Sequence, residues 1–122
     1  MDDQFMKQAL ELAKKGAGFT SPNPVVGAVI VKDGTIIGQG YHARAGNPHA
    51  EVVGIENAES FMHSVDGATL YTTLEPCAHL GKTPPCTELL LHKGIRRVVV
   101  GMKDPFESVR GKGIGILRDS GI

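Results

Sequence analysis

With 122 residues, 41% of them hydrophobic and 21% charged, the chain has the balance of one globular domain able to bury a core without disulfides. Thirteen basic side chains against thirteen acidic ones give a formal net charge of zero, which argues against a broad nucleic-acid surface but leaves room for a small anionic substrate held by one or two cations. No apolar run reaches membrane-spanning length and the start, with Asp2 and Asp3, is unlike an export signal, so the expectation is a cytoplasmic protein with no membrane partner.

From residue 2 to about 15, Phe5, Ala9, Leu12 and Ala13 recur on one helical stripe, with Met6 and Leu10 beside it. Asp2 and Asp3 suit the positive end of that helix, and Gly16 and Gly18 stop it. Two β-branched runs then flank Asp33-Gly34, a strong hairpin signal; the first run is apolar on both faces and predicts a central strand. Asn47-Pro48 opens a helix through Glu51, Val52, Ile55 and Ala58, with Pro48 in its first turn. Thr69 to Leu74 predicts a buried strand, Thr83-Pro84-Pro85 starts a helix that Gly94 ends, Arg97 to Val100 predicts another buried strand, and residues 111–120 a weaker helix. Helix, hairpin, then alternating helix and strand imply a layered α/β domain with a mixed sheet, antiparallel in the hairpin and parallel across the helical crossovers.

Three zinc-competent side chains stand where helices begin or strands end. His49 and Cys86 each follow a helix-opening proline, and Cys77 follows the strand ending at Leu74. A helix N-terminus lowers a thiol pKa, and the thiolate is the metal-binding form. One His and two Cys leave a fourth tetrahedral position for water, the composition of a catalytic zinc site, with one zinc per chain. Zinc lowers the pKa of bound water to about 7, and Glu51 is placed to carry that water's proton to a leaving group. On a regular helix positions i and i+2 point apart, so the His49–Glu51 pair works only if His49 lies at an irregular helix start. His49-Ala50-Glu51 and Pro76-Cys77 match the H-x-E…P-C-x-x-C pattern of zinc nucleobase deaminases, except that Cys86 comes nine positions after Cys77. Other readings stay open: a disulfide between the two cysteines, a structural zinc site closed by His79, or unrelated loop and core roles for each residue.

The run Thr73-Leu74-Glu75-Pro76-Cys77-Ala78-His79-Leu80-Gly81-Lys82-Thr83-Pro84-Pro85-Cys86 resembles the deaminase half of the diaminohydroxyphosphoribosylaminopyrimidine deaminases of riboflavin biosynthesis. Ser21-Pro22-Asn23-Pro24-Val25-Val26-Gly27, Gly40-Tyr41-His42 and His49-Ala50-Glu51 match the same family in order. The resemblance implies a three-layer α/β/α cytidine deaminase-like fold with a mixed central sheet. It implies hydrolysis of an exocyclic amine on a phosphoribosylated diaminopyrimidine, giving the aminouracil and ammonia, and a homo-oligomer. It also implies that Asn23, His42, His79, Lys82 and Asp104 line the substrate pocket. In residue chemistry Asn23 can read ring edges and Lys82 suits a phosphate, whereas His42 and Asp104 read equally well as turn or strand-end residues.

The sequence departs from the family in two places. Many members continue into a nicotinamide-dependent reductase domain, whereas this chain stops at Gly121-Ile122, near where a last deaminase strand would begin. The expectation is therefore one zinc-dependent deaminase domain over residues 1–122, either a separate deaminase or a cut chain, with an open sheet edge that favours self-association. The second departure is Asp104-Pro105-Phe106-Glu107-Ser108-Val109-Arg110-Gly111, where the family reads Asp-Pro-Asn-Pro. Phe106 cannot replace the hydrogen bonds of that Asn and Glu107 repels phosphate, so either Arg110 together with Lys82 is the phosphate contact or the loop merely covers the pocket and tolerates change. The alternatives are a zinc deaminase of guanine, cytidine or tRNA adenosine, and a non-catalytic zinc-binding scaffold, which would have no need of Glu51.

Overall fold

The computed structural model describes residues 2–15, 26–41, 49–74, 86–101, 114–115 and 118. Among them the chain runs α1 (Asp2–Lys14), β1 (Gly27–Lys32), β2 (Thr35–Tyr41), α2 (Ala50–Ser60), β3 (Thr69–Thr72), α3 (Cys86–Lys93) and β4 (Arg97–Val100). The strands form one mixed sheet in the order β2-β1-β3-β4.

The hairpin follows from its turn. Asp33 and Gly34 have φ of 53° and 77°, the two positive angles of the tight turn whose twist matches paired strands. β1 is buried along nearly its whole length because it has a neighbour on each side: β2 and β3, both antiparallel to it. The pleat sends its side chains alternately to two cores. Ala28 and Ile30 join Ile55 and Ala58 of α2 and Leu90 of α3, whereas Val29 and Val31 join Phe5, Ala9 and Leu12 of α1. One sheet between α1 and the α2/α3 layer makes the three-layer mixed α/β architecture that the sequence implies.

α1 buries the expected stripe, Phe5, Ala9, Leu12 and Ala13, while Leu10 is half exposed. On the other face α2 lies almost directly on the strand backbone. A Cβ added to Gly40 would stand 2.7 Å from the Gly54 amide nitrogen and 2.8 Å from Val53 Cβ, and one added to Gly38 would stand 2.5 Å from the Gly54 carbonyl oxygen. Asn57 Oδ1 accepts a 3.1 Å hydrogen bond from the Gln39 backbone N–H, so the helix also satisfies part of this edge strand.

Several expectations change in detail. α2 begins at Ala50 with His49 as its N-cap, so the described helix starts past Pro48, which itself lies outside the described residues. Among the described residues, one helical crossover joins adjacent parallel strands. α3 links β3 to its parallel neighbour β4, whereas α2 links β2 to β3, which run parallel to each other on opposite sides of β1. β3 ends at Thr72, where Thr73 and Leu74 bend away. β4 is half-buried rather than buried, because among the described residues it pairs on one side alone. Of the helix expected over residues 111–120, Ile114, Gly115 and Arg118 are described, each in helical conformation. His63 is exposed just after α2 and His92 is exposed on α3.

Candidate active site

Both crossover helices start at the same end of the sheet. β2, β3 and β4 share one direction, and each crossover leaves the carboxyl end of one of these strands to begin its helix there. The starts of α2, at His49 and Ala50, and of α3, at Cys86, therefore both lie at the carboxyl ends of the parallel strands, where open α/β sheets place their ligands.

His49 meets the condition that its two-residue spacing from Glu51 imposes. It has φ −68° and ψ 162°, extended backbone, while its carbonyl accepts the first helical hydrogen bond from Val53 N–H at 3.0 Å. The side chain of such an N-cap leaves the chain in a direction no helical position shares, which removes the geometric objection to a joint site with Glu51. Unlike a Ser or Asp cap, the imidazole makes no capping hydrogen bond to the helix.

Glu51, the second residue of α2, is a carboxylic side chain only 4% exposed. It lies in the first turn, where the helix dipole favours negative charge, and Thr72 Oγ1 lies 3.1 Å from its Oε1. Thr72 is the last residue of β3 and is fully buried. It shares the α2 face of the sheet with Leu70 because strand residues two apart point the same way. Next along the chain, the Thr73 hydroxyl accepts a 3.1 Å hydrogen bond from Gly27 N–H, and Thr73 N–H donates to the Gly27 carbonyl at 3.1 Å. This double tie joins the point where the chain arrives from the Asn23 segment to the point where it departs toward Cys77. Sequence reading did not single out Thr72 or Thr73. The signal was available in the alternation of Leu70 and Thr72 just before Pro76-Cys77.

Of the ten candidate site residues, the structure places His49 and Glu51 at the start of α2 and sets Cys86 at the first position of α3. Asn23, His42, Cys77, His79, Lys82, Asp104 and Arg110 lie outside the described residues, as does the Cys86 side chain. Among the described residues no three potential ligands gather, since His49 is the one proposed ligand whose side chain is described. The donor set fits zinc by its chemistry: one imidazole and two thiols are the borderline-soft nitrogen and sulfur ligands that zinc prefers, and two of the three residues stand at helix starts on one end of the sheet.

Comparison with known proteins gives the family. The profile of the cytidine and deoxycytidylate deaminase zinc-binding region matches residues 1–102. The chain is 54% identical over 122 residues to the riboflavin biosynthesis protein RibD of Aquifex aeolicus, covering all of this chain and 33% of that protein. It is 51% identical over 121 residues to RibD of Escherichia coli, covering 99% and 32%. Among solved structures it is similar to a diaminohydroxyphosphoribosylaminopyrimidine deaminase/5-amino-6-(5-phosphoribosylamino)uracil reductase from Thermotoga maritima. That similarity has a TM-score of 0.94 and 54% identity and covers 99% of this chain and 34% of that one. The chain thus spans about a third of the length of the curated relatives it matches.

Proposed function

The chain belongs to the zinc-binding cytidine and deoxycytidylate deaminase family, and from that premise we propose that it hydrolyses the exocyclic amine of a phosphoribosylated diaminopyrimidine in riboflavin biosynthesis, as one deaminase domain over residues 1–122. The observation that carries the reading is Glu51: a buried acid two residues from a histidine N-cap, at the carboxyl ends of the parallel strands. His49, Cys77 and Cys86 would hold one zinc ion, which when bound supplies an activated water.

Glu51 performs the proton work. It takes a proton from the water, hands it to the ring nitrogen next to the reacting carbon, and moves the second water proton to the exocyclic amine. The amine leaves as ammonia, a carbonyl replaces the carbon–nitrogen bond, and the carboxylate is regenerated, so one water is consumed per ammonia released. Asn23, His42, His79 and Asp104 would hold the base, and Lys82 with Arg110 the phosphate. The setting is cytoplasmic and the partner is a small molecule. Among the described residues no helix is long and apolar enough to cross a membrane. Self-association through an edge of the sheet is the expected assembly, and light scattering at micromolar concentration that found monomer alone would remove it.

The test of substrate class is ammonia release by the zinc-loaded chain from the phosphoribosylated diaminopyrimidine, its dephosphorylated form, cytidine, guanine and a tRNA adenosine stem-loop. The first substrate should react fastest. Arg110→Ala should raise KM roughly tenfold to a hundredfold for the phosphorylated form alone, the effect of one charge-assisted hydrogen bond. Faster turnover of any other base would replace the substrate assignment, and an equal or absent effect of Arg110→Ala on both forms would take Arg110 out of the site.

A further inference from the structure

We propose that Thr72 is a positioning residue for the reaction: its hydroxyl fixes the carboxyl group of Glu51 for proton transfer. The inference rests on the deaminase reading of the site. Thr72 has no exposed surface, and its Oγ1 lies 3.1 Å from Glu51 Oε1 and 2.9 Å from the Leu74 carbonyl oxygen. A hydroxyl has one proton and two lone pairs, and here two acceptors stand within reach of that proton. Valine would match the shape of threonine and suit a buried strand, yet the position holds a hydroxyl aimed at an acid on another element. The helix start and the strand end are each fixed by their own packing: α2 by the bare glycines of β2, and β3 by its pairing with β1 and β4. The Thr72 hydroxyl is thus held by two rigid elements, the condition for orienting a proton carrier rather than following it.

The carboxyl of a proton carrier must face water, ring nitrogen and amine in turn. A hydrogen bond on Oε1 restrains rotation of the carboxyl plane. The hydroxyl can donate to Oε1 both when the carboxylate is free of the shuttled proton and when that proton sits on Oε2, since Oε1 accepts in either form. The same threonine can therefore hold the acid on both sides of each transfer. A purely structural threonine would only cap the Leu74 carbonyl, and its loss would lower stability without touching turnover.

The experiment compares Thr72→Val, which keeps shape and removes the hydroxyl, with Thr72→Ser, which keeps the hydroxyl. Each is measured for zinc content, Tm, kcat and KM. Thr72→Val should keep its zinc and its KM and lose kcat roughly tenfold to a hundredfold, and Thr72→Ser should recover most of that loss. In a Glu51→Gln background Thr72→Val should lower kcat no further, because the group it positions is gone. A readout independent of turnover is the carboxyl infrared band found by subtracting Glu51→Gln from wild type; it should shift in Thr72→Val and return in Thr72→Ser. Should Thr72→Val not fold, Thr72→Ala, which removes bulk and adds none, takes its place. Wild-type kcat in the hydroxyl-free variant, or an unmoved infrared band, overturns the proposal even where Glu51→Gln abolishes ammonia release. A wild-type chain that releases no ammonia, with the band still moved by Thr72→Val, would sink the deaminase reading instead and leave the contact established.

Discussion

An acid held almost out of water costs stability unless hydrogen bonds meet it, and Glu51 is only 4% exposed. The dipole of the first turn of α2 and the Thr72 hydroxyl both lower that cost. The metal and the proton carrier should therefore separate cleanly under mutation. Cys86→Ser should lose most of its zinc by elemental analysis and its activity with it; full zinc in that variant would break the ligand set. Glu51→Gln should keep one zinc per chain while kcat falls by several orders of magnitude, because the amide can neither accept nor donate the shuttled proton. The His49–Glu51 pair was legible in the sequence as a motif together with the condition it imposes, an irregular helix start at His49, and the extended N-cap backbone of His49 meets that condition. For Thr72 the alternation with Leu70 could mark its face of the sheet, but not its partner, which lies 21 residues away on another element and is brought near only by the register of β3.

At the scale of elements, the position of α2 depends on an asymmetry between glycines. Gly38 and Gly40 on β2 have helix backbone where a side chain would go. Gly54, in the middle of α2, has only ordinary contacts around an added Cβ, at 3.5 Å from Ile30 Cδ1 and 3.8 Å from the Gly40 amide nitrogen. Gly40→Ala must push the helix off the sheet and should cost about 1–3 kcal/mol, whereas Gly54→Ala should be neutral or stabilise by up to about 1 kcal/mol through helix propensity. Urea unfolding of the two variants checks this, and a Gly40→Ala chain as stable as wild type would refute the close approach. Because α2 carries Glu51, Gly40→Ala should also lower turnover. The elements themselves were largely readable: the apolar stripe of α1 gave its buried face, and Asp33-Gly34 gave the hairpin. Strand order was not readable, since nothing local to α2 says that its crossover passes over β1, and the exposure of β4 depends on its neighbours rather than its own apolar residues.

Across the whole molecule, the start of the first helix is tied to β3 and β4 by an acid. Asp2 accepts hydrogen bonds from Arg97 at 2.7 and 3.1 Å and from the Tyr71 hydroxyl at 2.5 Å, joining α1 to β4 and β3. The Arg97 hydrogen bonds, then that of Tyr71, hold the Asp2 carboxyl down at about 2 against an ordinary 3.8. The folded pKa is depressed, so this contribution is complete above about pH 4 and disappears as pH falls toward 2. Asp2 and Arg97 are both about half exposed, so the effect is modest and weakened by salt. Asp2→Asn should flatten the stability-against-pH curve between pH 4 and 2 relative to wild type at low salt, in parallel urea titrations. Identical slopes would show that the tie contributes nothing. The tie lies on the α1 side of the sheet, opposite Glu51, and so should leave kcat near neutral pH unchanged. Proton work at Glu51 in a hydrolytic deamination is the central claim. The measurement that meets it most directly is turnover of the phosphoribosylated diaminopyrimidine by the zinc-loaded wild-type chain in oxygen-18 water. One ammonia and one labelled carbonyl oxygen per product are predicted; a product without the label, or no ammonia at all, would contradict it.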